Sequence, residues 1–112
     1  MSARVQEAAF DVAAEVAAFQ SALTQSGAVV SFTGVVRDDT GSLDYMFIEH
    51  YPGMTLAALE KFANQATVKF GLEKVLVIHR YGRLQPGEEI MMVVTAARHR
   101  KDAFAGADYL MD

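Results

Sequence analysis

Two long apolar runs, each next to turn-forming residues, constrain the fold of this chain most strongly. GAVVSFTGVV (27–36) and EIMMVVTAA (89–97) are rich in apolar and β-branched side chains and lack a polar alternation. Such continuously apolar runs are typical of buried strands. The first run ends at RDDTGS, and the second follows KVLVIHRYGRL (74–84) and the turn sequence QPGEE. Residues 74–97 are therefore predicted to form a hairpin within a buried sheet.

Three helices are predicted from apolar residues that recur every three to four positions. The first follows the N-cap Asp11 and runs up to Gly27, the second spans 55–70 and ends at Gly71, and the third spans 102–111. Further strands are predicted over 3–10 and 43–51. The resulting order, β-α-β-β-α-β-β-α, indicates an α+β domain.

The composition is that of one ordinary globular domain. The chain has 112 residues, of which 52% are hydrophobic and 21% are charged, so it is long enough to bury a core. Residues 1–112 are predicted to form a single domain. No apolar run approaches the roughly 18–20 residues of a membrane span, and MSARVQEAAF lacks the apolar centre of a secretory signal. We expect a cytoplasmic chain without a membrane partner.

Several kinds of chemistry are disfavoured by residue content. The sequence has no cysteine, which excludes disulfides, thiolate metal sites and a cysteine nucleophile. Its formal charge of -4 argues against a nucleic-acid-binding surface. The three histidines do not show the close spacing of a metal site, so no metal and no cofactor are predicted.

The end of the third helix carries an expectation about chain length. Tyr109, Leu110 and Met111 are followed by Asp112, with no glycine or asparagine to cap the helix. A carboxylate at this position is unfavourable for the helix dipole. We expect the natural chain to continue beyond Asp112.

A cluster of cations, Arg98–Lys101, stands where the second apolar run passes into the third helix. A helix N-terminus with free N–H groups favours an anion, and guanidinium groups bind phosphate or carboxylate in bidentate fashion. The alternative is a solvated basic turn that pairs with Asp102 and neighbouring acids. On spacing alone, the solvated turn is the favoured interpretation.

Arg37 is a second candidate, at the end of FTGVVR. It would converge with Arg100 if the two apolar strands were neighbours, and Gly34 suggests a close backbone approach nearby. The alternative is a turn arginine that is neutralised by Asp38 and Asp39, and the residues alone favour it.

Other polar positions are weaker candidates. Glu49 and His50 offer an acid–base pair, but consecutive strand residues point to opposite faces, which favours a rigid Pro-Gly corner instead. His79 is predicted to be a hydrogen-bonded sheet histidine, and Met91 and Met92 are predicted to fill the core.

Four segments resemble the large catalytic subunit of molybdopterin synthase in their order and spacing. They are FTGVVR, LDYMFIEHYPGMT, VLVIHRYGRLQPGEEI and TAARHRKDAF, and the match covers roughly residues 27–112. The most specific are EHYPGM and the pattern IHR-x-G-x-L-x-PG-(D/E)-E. The resemblance implies an α/β hammerhead-type fold, with a mixed sheet and three helices.

The resemblance also implies partners and a reaction. The large subunits form a homodimer within a heterotetramer, and a small ubiquitin-like sulfur-carrier subunit docks at each end. The carrier's C-terminal Gly-Gly thiocarboxylate enters the large subunit's pocket, where two sulfurs pass to cyclic pyranopterin monophosphate and form the dithiolene of molybdopterin. A chain without cysteine suits this scheme, because the sulfur arrives on the partner.

Site residues follow from the resemblance position by position. Arg37, His99 and Arg100 are the implied catalytic residues. They are expected to bind the phosphate and the pterin, with His99 as a proton shuttle. Val35 and Val36 belong to the same substrate-binding segment, although some relatives carry lysine where Val35 stands.

Phe32 is expected to support the pocket wall, while Arg98 and Lys101 lie outside the shared motif and are predicted to steer anions. Members of the family continue beyond the position of Asp112 into a segment with catalytic lysines. Two alternatives therefore remain open, namely a non-catalytic module that binds the carrier or the pterin, and a structural dimerisation domain.

Overall fold

The structure, a computed structural model, describes residues 2–38, 41, 44–49 and 53–111. Its strands are β1 (Ala3–Gln6), β2 (Ala28–Val35), β3 (Met46–Ile48), β4 (Lys74–Arg80), β5 (Gly82–Leu84) and β6 (Glu89–Ala97). Its helices are α1 (Val12–Ser21), α2 (Met54–Phe70) and α3 (Arg100–Met111). The predicted acid–base partner His50, Tyr51 and Pro52 of the Pro-Gly corner, and Asp112 lie outside the described residues, as do parts of the RDDTGS turn.

The main sheet has the strand order β1-β4-β6-β2. β1 is parallel to β4, whereas β4–β6 and β6–β2 are antiparallel pairs. The predicted hairpin is confirmed, since Lys74 pairs with Ala96 and His79 with Met91. The two long apolar runs are neighbours in this sheet, and β2 carries an irregularity between Gly34 and Val35. The prediction that both runs are buried strands is wrong for β2, which is the edge strand: none of its residues is fully buried, and Phe32 and Val35 are exposed.

Helices cover both faces of the sheet. On one face, α2 and α3 pack against buried residues such as Val77 and Val93. On the other face, Phe10 and the α1 residue Phe19 pack against Ile78. This double covering explains why β4 and β6 are apolar without alternation. The predicted α+β class with a mixed sheet and three helices is confirmed, as is Met92 in the core, where it is fully buried.

The predicted strand 74–84 is two strands in the structure. β4 ends at Arg80, and β5 joins a separate two-stranded sheet with β3. Gly82 adopts a φ of 95°, which redirects the chain between the two sheets. The buried Arg80 fixes this junction, because its guanidinium donates to the Glu7 carbonyl and to the Glu89 carbonyl.

Helix and strand ends differ from the predictions at several places. Of the predicted strand 43–51, only Met46–Ile48 is a strand among the described residues. β1 ends at Gln6 rather than at residue 10, α3 begins at Arg100 rather than at residue 102, and α1 ends at Ser21 rather than before Gly27. Both predicted caps are confirmed: Asp11 accepts from the Ala14 N–H at 3.1 Å, and Gly71 is left-handed with a φ of 64°. Across the described ranges, no helix has the length and apolar character that a membrane span requires.

Candidate functional site

The cation cluster, here called the basic turn (Arg98–Lys101), joins the end of β6 to the first turn of α3. All four side chains are exposed. Within the described part of the chain, none of the four makes a side-chain hydrogen bond or an ion pair. The turn is therefore solvated, as the favoured interpretation predicted, but its predicted pairing with Asp102 and neighbouring acids is absent among the described residues. The first turn of α3 adds partial positive charge, so the basic turn is a surface suited to an anion.

The backbone of the basic turn is held by close packing against the start of β2. The Gly27 N–H donates to the Ala97 carbonyl at 3.0 Å. A Cβ atom added to Gly27 would lie 2.6 Å from the Arg98 carbonyl oxygen, so a side chain at this position would displace the turn. On the other side, the buried Thr95 hydroxyl donates to the Ala103 carbonyl at 2.7 Å and ties α3 to β6.

The loop between α1 and β2 is held by one carboxylate, which explains why the segment before Gly27 is not helical. Glu73 accepts from the Thr24 N–H at 2.7 Å, the Gln25 N–H at 3.0 Å and the Ser26 hydroxyl at 2.6 Å, and from the Thr24 hydroxyl at 3.1 Å. The Ser26 hydroxyl and the Thr24 and Gln25 N–H groups together lower the pKa of Glu73 from 4.5 to about 2. We call this set of contacts the Glu73 clasp.

The Glu73 clasp predicts an acid-sensitive contribution to stability. Because folding lowers the pKa of Glu73 from 4.5 to about 2, its contribution is present above pH 4.5 and is lost as the pH falls through 2. The difference in free energy of unfolding between wild type and Glu73→Gln should therefore be largest near neutral pH and shrink below pH 4.5. Urea unfolding of both proteins between pH 7 and pH 2.5 measures it. A difference that does not change with pH would contradict the assignment.

Arg37 lies at the opposite end of β2 from the basic turn. Ala28 pairs with Ala97, next to the basic turn, whereas Val35 pairs with Glu89 at the start of β6. A strand rises by about 3.3 Å per residue, so the two ends of this ladder of paired residues are roughly 25 Å apart. The prediction that Arg37 and Arg100 converge in one chain is wrong. The strands are neighbours as expected, but their antiparallel direction separates the residues that follow them.

The residues before Arg37 differ in what they expose. The Val35 side chain is exposed beside Arg37. Val36 is buried in the core, and its N–H and carbonyl pair with Glu88 and Gly87 at 2.9 Å each. Within a single chain, Val36 therefore fixes the backbone that carries Arg37, and its buried side chain is not accessible to a ligand.

A groove of about 520 Å³ runs between β2 and α3. Phe32 lines it from the strand, while Phe104 and Met111 line it from the helix. The prediction that Phe32 supports a pocket wall agrees with this position. Arg100 lies on the same face of α3 as Phe104 and Met111, since positions four and eleven residues further on fall on one side of a helix. Arg100 and the groove-lining residues Phe104 and Met111 thus follow one another along one face of α3.

The weaker candidates have structural roles or remain untested. His79 is a sheet histidine whose Nδ1 lies 2.8 Å from the Arg80 carbonyl oxygen, as predicted. Met91 is partly buried against the core. Glu49 is exposed at the end of β3, and its proposed partner His50 is not described. Among the described residues, no group of three or more His, Cys, Asp or Glu side chains is arranged to hold a metal ion.

Comparison with known proteins settles the family. A family model described as MoaE protein matches residues 5–112. The chain belongs to the MoaE family. The molybdopterin synthase catalytic subunit of Cereibacter sphaeroides is 51% identical over 112 residues, which are 100% of this chain and 77% of the relative. That of Rhizobium meliloti is 47% identical over 112 residues, 100% of this chain and 72% of the relative.

A solved MoaE structure has the same fold. The molybdopterin biosynthesis MoaE protein from Burkholderia ambifaria superimposes with a TM-score of 0.89 at 44% sequence identity, covering 99% of this chain and 76% of that chain. The family inferred from the four sequence segments is therefore confirmed.

The sequence interpretation missed two residues that hold the basic turn in place. Glu73 and Gly27 act through contacts with partners distant in the chain, and neither belongs to a local chemical motif. Gly27 had the clearer signal, because it opens an apolar strand, and glycine in or beside a strand often marks a close backbone approach. Glu73 lies between Gly71 and the start of β4. No sequence pattern around Glu73 distinguishes it from an ordinary surface acid.

Proposed function

We propose that this chain is the sulfur-transferring subunit of a molybdopterin synthase. It accepts sulfur from the C-terminal thiocarboxylate of a small ubiquitin-like carrier and directs it to cyclic pyranopterin monophosphate, where two transfers give the dithiolene. The observation that carries the proposal is membership of the MoaE family over residues 5–112, with relatives named as catalytic subunits. The chain requires no cofactor for this chemistry, since the donor sulfur arrives on the carrier.

The basic turn supplies the groups that this substrate needs. Arg100 binds the phosphate through charge-assisted hydrogen bonds, which its planar guanidinium makes in pairs. His99 lies beside it, exposed, and moves a proton to or from the reacting pterin. Phe32 and Phe104 provide aromatic faces on the groove that continues from Arg100, suited to a flat pterin ring.

Arg37 joins this site from a second copy of the chain. A single ligand cannot touch Arg37 and the basic turn of one chain, because the β2–β6 ladder separates them by roughly 25 Å. A two-fold dimer that places the end of β2 of one copy against the basic turn of the other brings Arg37 to His99 and Arg100. Val35 and Val36 carry Arg37 into that interface. The homodimer thus contains two equivalent substrate sites.

The remaining assignments follow from the reaction. The carrier subunit docks so that its thiocarboxylate reaches the shared site, which gives a heterotetramer of two carriers and two MoaE chains. The carrier and the pterin phosphate are the partners, and neither nucleic acid nor a membrane takes part. We place the reaction in the cytoplasm. Residues 1–112 act as one domain, and a C-terminal segment with lysines completes catalysis in the family.

A reconstituted assay tests the function. The chain is mixed with thiocarboxylated carrier and cyclic pyranopterin monophosphate, and dithiolene formation is measured. A second protein, in which the C-terminal segment of the Cereibacter sphaeroides relative follows Met111, is assayed in parallel. We expect dithiolene from the extended protein. If neither protein forms product although both bind the carrier by calorimetry, the chain is a binding module instead. If neither binds the carrier, a structural dimerisation domain remains.

A further inference from the structure

The Glu73 clasp is linked to the basic turn through the backbone of β6 and of Gly27. The Glu73 N–H donates to the Ala96 carbonyl at 2.8 Å, near the end of β6. Its carboxylate holds Thr24, Gln25 and Ser26, and the next residue is Gly27. One residue thus fixes both the strand that leads into the basic turn and the loop that packs against it.

Gly27 connects the Glu73 clasp to the basic turn, and it packs so closely against Arg98 that a side chain would not fit there. Gly27 donates its N–H to the Ala97 carbonyl, and its Cα lies so close to Arg98 that a Cβ would stand 2.6 Å from the Arg98 carbonyl oxygen. The position of the Arg98 backbone therefore depends on where the loop holds Gly27. Because the side chains of Arg98–Lys101 make no hydrogen bond or ion pair with described residues, their placement depends mainly on the backbone that carries them.

We propose that Glu73 is a positioning residue for substrate binding: by anchoring the loop 24–27 against the end of β6, it sets the direction in which His99 and Arg100 meet the anionic substrate. The identity of the ligand in this inference rests on the proposed function. The structural connection between Glu73 and the basic turn is independent of that function. A glutamine at this position keeps the shape of the side chain. It has only one acceptor oxygen, so it cannot bind the four donors of the clasp.

Two variants of graded strength test the proposal. Glu73→Gln weakens the whole clasp, and Ser26→Ala removes a single donor from it. Glu15→Gln is the matched control, because Glu15 is an acid on α1 that pairs with Arg4 and takes no part in the clasp. Backbone N–H order parameters of the free chain are measured by NMR for residues 24–27 and 98–101. The kcat and KM for the pterin phosphate are measured with synthase assembled from the C-terminally extended protein.

We expect Glu73→Gln to lower the order parameters of both segments and to raise the KM by about tenfold with a smaller change in kcat, since misplaced binding groups weaken substrate capture. Ser26→Ala should give smaller changes of the same sign, and Glu15→Gln should match wild type. Lower order parameters at 24–27 with unchanged values at 98–101, or an unchanged KM, would overturn the proposal. If the extended protein without these substitutions makes no dithiolene, the proposed function fails, while the order parameters still decide whether Glu73 controls the basic turn.

Discussion

Replacement of Arg100 by alanine is expected to lower kcat/KM for the pterin phosphate about a hundredfold, while the fold and its thermal stability stay unchanged. A lost pair of charge-assisted hydrogen bonds costs about 3 kcal/mol, which corresponds to a factor of roughly one hundred. Stability is unaffected because the exposed Arg100 side chain makes no hydrogen bond or ion pair with the residues that the structure describes. Steady-state kinetics and thermal unfolding of the same preparation measure the two effects.

The matched control for Arg100→Ala is Lys61→Ala, which removes an exposed cation from α2. It changes the net charge by the same amount, so it reports any general electrostatic effect on anion capture. We expect Lys61→Ala to retain nearly full kcat/KM. Equal losses in the two variants would mean that Arg100 acts through net charge alone, and wild-type activity in Arg100→Ala would remove it from the substrate site.

The order of the elements was predictable because each has a local periodicity. The apolar runs of β2 and β6 and the helical stripes of α2 and α3 all lie where the sequence places them. The division of 74–84 at Gly82 was not predictable, since the chain turns there for a tertiary reason, namely the burial of Arg80 against the Glu7 and Glu89 carbonyls. Local pattern does not report which of two sheets a strand will join.

The candidate site was only partly predictable, for a similar reason. The residue types at positions 37, 99 and 100 indicated an anion, but the relative direction of β2 and β6 is a property of the sheet and carries no sequence signature. The sequence indicated correctly that the two strands are neighbours. It did not show that they run antiparallel, so Arg37 was wrongly expected in the same pocket of one chain as Arg100. The Glu73 clasp joins residues 47 to 49 positions apart, so no window of the sequence displays it.

The second large effect is expected when two strongly impaired variants are combined in one dimer. An Arg37→Ala homodimer and an Arg100→Ala homodimer each have two defective sites. In a mixed dimer, one site receives both substitutions and the other receives neither, because Arg37 and Arg100 of one chain serve different sites. Such a dimer should show about half of the wild-type rate. A mixed dimer of His99→Ala and Arg100→Ala provides the matched control. It should stay inactive, because both residues belong to the same basic turn.

This complementation is the most direct test of a site shared between two copies. The two variants are co-expressed with different affinity tags, and only dimers that carry both tags are purified and assayed with thiocarboxylated carrier. Recovery of about half the wild-type rate in the Arg37/Arg100 pair, with none in the His99/Arg100 pair, is the predicted result. A mixed Arg37/Arg100 dimer as inactive as either parent would contradict the shared site.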